Sequence, residues 1–83
     1  MSVIMYTTRY CPFCVRAKQL FDEKKIVYKE MSVDNDPLLR QEMMKKSGQR
    51  TVPQIWINNK HIGGCDDLFA LQRSGQLEGL LIN

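Results

Sequence analysis

The 83-residue chain has no long apolar run, one histidine, one tryptophan, three prolines and only three cysteines. With no long apolar run, no basic-plus-apolar leader and no small-residue cleavage site, neither membrane insertion nor export is expected, and the chain is expected in the cytoplasm. An odd cysteine count argues against a secreted disulfide scaffold. Twelve lysines and arginines against nine acidic residues leave a net charge of only +3. These charges are scattered and lack the clustered basic and aromatic pattern of a nucleic-acid surface, so the mild positive field suits an anionic small molecule instead. No repeat, low-complexity tract or Gly/Ser linker divides the sequence, so residues 1–83 are expected to form a single domain. Hydrophobic content of 43% and charged content of 25% are ordinary for a globular protein.

What the sequence does contain is a thiol pair in an informative place. Cys11-Pro12-Phe13-Cys14 follows the short apolar run Val3-Ile4-Met5-Tyr6 and precedes a helix-like stretch from Val15 to Lys24. Pro12 suits the first helical position, where its missing N–H would have had no partner. Cys11 then becomes the N-cap. The free N–H groups and positive dipole end of the helix favour its thiolate and lower its pKa, with Arg9, Arg16 and Lys18 near enough in sequence to add positive potential. Cys11 is therefore the expected nucleophile and Cys14 its partner. Helical neighbours three residues apart have Cβ atoms roughly 5–6 Å apart, wider than the roughly 3.5–4.5 Å of a relaxed disulfide. Closure is thus expected to need local adjustment and to give an easily reduced bridge.

Hydrophobic periodicity gives the order β-α-β-α-β-β-α. A strand from Val3 to Thr7 is followed by a helix from Pro12 to about Lys24, with Cys14, Ala17, Leu20 and Phe21 inward. A second strand runs from about Val27 to Met31. Pro37 opens a helix from Leu38 to about Lys46, with Leu39 and Met43 inward and Gly48 past its end. Pro53 to Ile57 forms a third strand, Asn58-Asn59 a hairpin turn, and Lys60 to Ile62 a fourth strand ended by Gly63-Gly64. Asp66 to Leu81 reads as helical, with Leu68, Leu71, Leu77, Leu80 and Leu81 apolar and interruptions near Gly75 and Gly79. The pattern predicts an α/β fold: a four-stranded mixed sheet with a parallel pair, an antiparallel hairpin and helices on both faces. Cys11 would lie at the C-terminal end of a central strand, where open α/β sheets place ligands.

Taken together, Tyr6-Thr7, Cys11-Pro12-Phe13-Cys14, Thr51-Val52-Pro53 and Gly63-Gly64-Cys65-Asp66-Asp67 resemble the dithiol glutaredoxins, most like the short bacterial glutaredoxin 3 type, over essentially the whole chain. The resemblance implies a thioredoxin fold and glutathione-dependent thiol-disulfide exchange, with glutathione as co-substrate and no tightly bound cofactor. Implied partners are glutathione and disulfide-containing or glutathionylated proteins, ribonucleotide reductase among the candidates, acted on by a monomer. It further implies a glutathione groove in which Val52, before a cis Pro53, offers its backbone to the cysteinyl part, with Thr51 beside it. Gly64, Cys65, Asp66 and Asp67 would open a helix toward the γ-glutamyl end, Asp67 meeting the ammonium. Arg40 would pair with the glycyl carboxylate, with Arg50 and Gln49 as neighbours. Phe13 stands where the family usually has Tyr and would wall the groove. Thr8 stands where it commonly has Lys, the charge falling instead at Arg9, although adjacent residues of an extended chain point opposite ways.

Other readings compete. A zinc site needs about four ligands; Cys65 and His61 supply no second paired motif, so no metal is expected. Cys65 reads as a packed bystander beside the groove more readily than as a second reactive thiol. His61 reads as a solvated edge residue, Trp56, Met43 and Met44 as packing groups, and Arg40 and Arg50 as either groove or surface charges. A redoxin reduced by thioredoxin reductase is one alternative function. An iron–sulfur module is another, disfavoured by Pro12 and Cys14.

Overall fold

The computed structural model describes residues 1–82. The elements in chain order are β1 (Val3–Thr7), α1 (Pro12–Glu23), β2 (Lys29–Ser32), α2 (Pro37–Ser47), β3 (Gln54–Ile57), β4 (Lys60–Gly63), α3 (Cys65–Arg73) and α4 (Leu77–Leu80). The strands form one four-stranded sheet in the order β2-β1-β3-β4. β1 pairs in parallel with β2 and antiparallel with β3, and β3 pairs antiparallel with β4. No described helix is long and apolar enough to cross a membrane.

Alternation along the two central strands builds a core on each side of the sheet. Val3 and Met5 of β1 join Ile55 and Ile57 of β3 on one face, packed with Ala17, Leu20 and Phe21 of α1, Leu68 of α3 and Leu77 of α4. Tyr6 faces the other way with Val33 and with Met43 of α2, flanked by Ile4 and Trp56. Burial on both faces is why these strands read as nearly continuous apolar runs. Trp56 meets Tyr6 edge-on with ring centroids 5.3 Å apart, and Met43 is fully buried, as packing roles require.

The local signals act where the sequence places them. Asp36 caps α2 by accepting the Leu39 N–H at 3.1 Å, and Gly48 ends it in the left-handed region at φ 71°. Asn58 and Asn59 both have positive φ, 51° and 68°, as a tight two-residue hairpin turn demands. Three expectations shift. The second strand begins at Lys29 rather than Val27: the chain leaves α1 through a left-handed Lys25, Ile26 donates its N–H to the Phe21 carbonyl at 2.9 Å, and Val27 stays 85% exposed. The C-terminal helix is two helices, broken at Gly75 but not at Gly79, which lies inside α4. His61 is half-buried, its ring tilted against Trp56 with centroids 4.6 Å apart, rather than a solvated edge residue.

At the outer edge of the sheet, Glu30 of β2 accepts from Lys18 of α1 at 2.5 Å and from the Thr7 hydroxyl at 2.7 Å. The Lys18 ammonium first, and Thr7 second, hold the Glu30 carboxyl below the usual carboxylate range. A depressed pKa contributes stability that is present above the unfolded carboxyl pKa of about 4.3 and lost as pH falls through the folded value. Glu30 is partly exposed, so screening limits the contribution to about 1 kcal/mol or less. We expect Glu30→Gln to lower the urea midpoint at pH 7 and to match the parent at strongly acidic pH; equal offsets at both would contradict this.

Candidate functional site

The site begins where β1 ends. The loop after Thr7 delivers Cys11 to the N-cap of α1 in an extended conformation, φ −135° and ψ 98°, with Pro12 following at the first helical position. The Cys14 N–H, one of the donors a helix start leaves without a backbone partner, points at the Cys11 sulfur at 3.0 Å. Cys11 keeps 8% of its surface exposed while Cys14 keeps 1%, so an incoming sulfur meets Cys11 first. The two are joined as a disulfide with Cα atoms 5.2 Å apart, inside the ordinary range for such bridges. As an extended N-cap residue, Cys11 lies outside the regular helix that carries Cys14.

Two of the nearby cations have partners of their own: Lys18 is paired with Glu30, and Arg16 lies over the Phe69 ring, 5.1 Å from its centroid. The first turn of α1 contains no acidic residue to oppose a thiolate. The helix end itself is thus arranged to favour a thiolate at Cys11 over a thiol.

Beside Cys11 lies a cavity of about 320 Å³, lined by Phe13, Gln49, Thr51, Val52, Pro53, Gly64, Cys65, Asp66 and Asp67. The Val52–Pro53 peptide is cis, and the Val52 carbonyl oxygen lies 3.7 Å from the Cys11 sulfur. On the other wall, α3 opens with Gly64 as its N-cap, and its first backbone bond runs from the Leu68 N–H to the Gly64 carbonyl at 3.1 Å. The N–H groups of Cys65, Asp66 and Asp67 precede that bond, an arrangement suited to a carboxylate. Asp67 turns one carboxylate oxygen back to accept the Gly64 N–H at 3.0 Å. This contact explains Gly63: its φ is +118°, and a Cβ there would collide with the Asp67 carboxylate. At Gly64 an added Cβ would sit 3.3 Å from the Pro53 carbonyl oxygen, so the two walls touch here.

Of the residues named from sequence, Phe13, Thr51, Val52, Pro53, Gly64, Cys65, Asp66 and Asp67 share this cavity. Arg9 does not join them. It lines a separate polar pocket with Thr7, Thr8, Lys18, Glu30, Ser32, Asp34 and Asn35, held there by its backbone bond to Asp34. Arg40 and Arg50 are likewise absent from the lining: the Arg40 guanidinium donates to the Arg50 carbonyl at 2.9 Å, tying α2 to the segment that enters the Thr51 loop. Two glutamines complete the site. Gln49, named from sequence only as a neighbour of Arg40, lines the cavity, and Gln54, read only as a strand residue, is fully buried behind it. The signal was a lone amide in an apolar strand, since a buried polar group must find partners.

A family model described as Glutaredoxin matches residues 3–62. The chain belongs to the glutaredoxin family. It is 53% identical over 79 residues to a glutaredoxin of Pseudomonas aeruginosa, covering 95% of this chain and 94% of that protein. It is 49% identical over 80 residues to glutaredoxin 3 of Escherichia coli strain K12, covering 96% of each. A crystal structure of a buckwheat glutaredoxin–glutathione complex superposes with a TM-score of 0.90 at 34% identity, covering 95% of this chain and 74% of that one. The four-stranded mixed sheet is thus a thioredoxin fold, and this glutaredoxin is a thiol-disulfide oxidoreductase with Cys11 and Cys14 as its redox pair.

Cys65 is the third thiol, buried in the cavity wall, and burial pushes its pKa up despite the opposing Arg16 charge. After reduction, brief iodoacetamide treatment near neutral pH should label Cys11 quickly and leave Cys14 and Cys65 largely unmodified, as read by peptide mass mapping. Labelling of Cys65 at the rate of Cys11 would contradict the packing role.

Proposed function

We propose that this glutaredoxin uses glutathione as its reductant and acts both on glutathione mixed disulfides and on protein disulfides in the cytoplasm. The observation that carries this reading is the position of the Cys11 sulfur beside a cavity whose far wall is a helix N-terminus. Glutathione is an extended anionic tripeptide. Its γ-glutamyl carboxylate suits the free N–H groups of α3, its ammonium suits the remaining oxygen of Asp67, and its cysteinyl backbone suits Val52 in the manner of an added strand. The glutathione bound by the buckwheat relative supports the same ligand class.

The chemistry is two successive thiolate exchanges. The Cys11 thiolate attacks the glutathionyl sulfur of a mixed disulfide, forming Cys11–S–S–glutathione and expelling the target as its thiolate, which takes up a proton. A second glutathione thiolate attacks that bond, releasing oxidised glutathione and restoring Cys11. With a protein disulfide, Cys11 forms a mixed disulfide with the protein. Cys14 then loses its proton and attacks the Cys11 sulfur, expelling the second target thiolate and leaving the Cys11–Cys14 bridge, which two glutathiones reduce. In each exchange one S–S bond forms as another breaks. The fully buried Cys14 and the slightly more accessible Cys11 fit these unequal roles.

In a glutathione reductase-coupled assay, Cys11→Ser should abolish turnover of a glutathionylated small disulfide, whereas Cys14→Ser should retain it and lose reduction of protein disulfides. Retained activity in Cys11→Ser would refute the nucleophile. Rapid reduction by thioredoxin reductase without glutathione would replace the proposed reductant.

A further inference from the structure

Gln54 has no exposed surface, yet it is polar and opens the central strand β3 directly opposite Tyr6. Its side-chain nitrogen donates to the Thr51 carbonyl at 3.0 Å and to the Gln49 side-chain oxygen at 3.1 Å, with the Thr51 hydroxyl at 3.4 Å. Its own oxygen lies 2.8 Å from Nε2 of His61, the ring tilted against Trp56.

The orientation of this chain follows from one obligate acceptor. A backbone carbonyl can only accept, so the Gln54 nitrogen must face Thr51 and its oxygen must face His61. The His61 Nε2 therefore carries a proton. The second N–H of Gln54 meets Gln49, so Gln49 must turn its oxygen inward. Gln49 lines the same cavity as Thr51 and Val52, and with its oxygen engaged it presents its NH₂ group as a donor.

We propose that Gln54 is a positioning residue of the groove, holding Gln49 in the orientation that donates to the glycyl carboxylate of glutathione. The inference rests on the glutathione reading above. The γ-glutamyl carboxylate is matched by the α3 N-terminus on one wall, and Gln49 stands on the wall of the Thr51–Pro53 loop, where a second carboxylate needs a donor. Arg40 donates to the Arg50 carbonyl and does not line the cavity, which leaves the Gln49 amide and the Thr51 hydroxyl as the side-chain donors on that wall. Gln54 never touches substrate. It acts by fixing which end of the Gln49 amide faces outward, and by holding the Thr51 carbonyl just before Val52.

The test is a double-mutant cycle of Gln49→Met and Gln54→Met in the glutathione-coupled assay. Each single variant should raise KM for glutathione about ten-fold, the size of one charge-assisted hydrogen bond, while kcat at saturation and the alkylation rate of Cys11 hold. The double variant should be no worse than the singles, because both remove the same donor. Multiplying effects, or a fall in kcat with KM unchanged, would overturn the proposal. Should Gln54→Met fail to fold, ¹⁵N spectra of the unaltered protein still decide on the network: neutral His61 should carry its proton on Nε2, and an Nδ1–H tautomer overturns the chain. Turnover of the parent that is independent of glutathione would refute the functional reading and the Gln49 role with it. Glutathione-dependent turnover with KM untouched by Gln49→Met would refute this inference alone.

Discussion

The contact between the Cys14 N–H and the Cys11 sulfur, at 3.0 Å, is the constraint on which the rest depends. A helix start leaves several N–H groups without backbone partners, and a side chain at the N-cap ordinarily supplies an oxygen to one of them. Here the acceptor is sulfur, so the group that satisfies the helix is also a member of the redox pair. The same electrostatics that favour a cap favour a thiolate over a thiol. Structure and reactivity are therefore not separable at position 11.

Everything else places this sulfur. β1 runs through the middle of the sheet, buried on both faces, and delivers the loop that carries Cys11. Phe21 and Leu20 anchor α1 to one face, which fixes the direction in which its N-terminus points. β3 and α3 bring the Thr51 loop and the Gly64 turn to the same edge from distant parts of the chain, and their backbones meet closely enough that Gly64 has little room for a side chain. The cavity is thus framed by the start of α1, the loop before β3 and the start of α3.

Polar groups inside this small core sit where they hold the site. Gln54 is buried yet fully partnered, and the Thr7 hydroxyl donates to Glu30. Such networks are costly when half satisfied and rigid when complete. Gln54 links the loop beside the reactive sulfur to the β3–β4 hairpin through His61, so an element remote in sequence helps to set the groove wall.

The sequence alone carried the thiol pair, its cap position and the element order. Each of these depends on residues within a turn of one another: Pro12 after Cys11, Asp36 before Pro37, Asn58 beside Asn59. It also named most of the cavity lining, because the Thr51-Val52-Pro53 and Gly63 to Asp67 segments carry their own local signatures. Which charges attend the site depended on tertiary contacts. Arg16 and Lys18 lie close to Cys11 along the chain, yet Lys18 pairs with Glu30 of β2 and Arg16 lies over Phe69 of α3, while Arg9 lines a pocket apart from the cavity. Likewise the start of β2 followed from where β1 could pair, and the burial of Gln54 from partners on the loop before β3 and on β4. Local backbone chemistry can be read along a chain, whereas the destination of a long or polar side chain depends on what folding brings beside it.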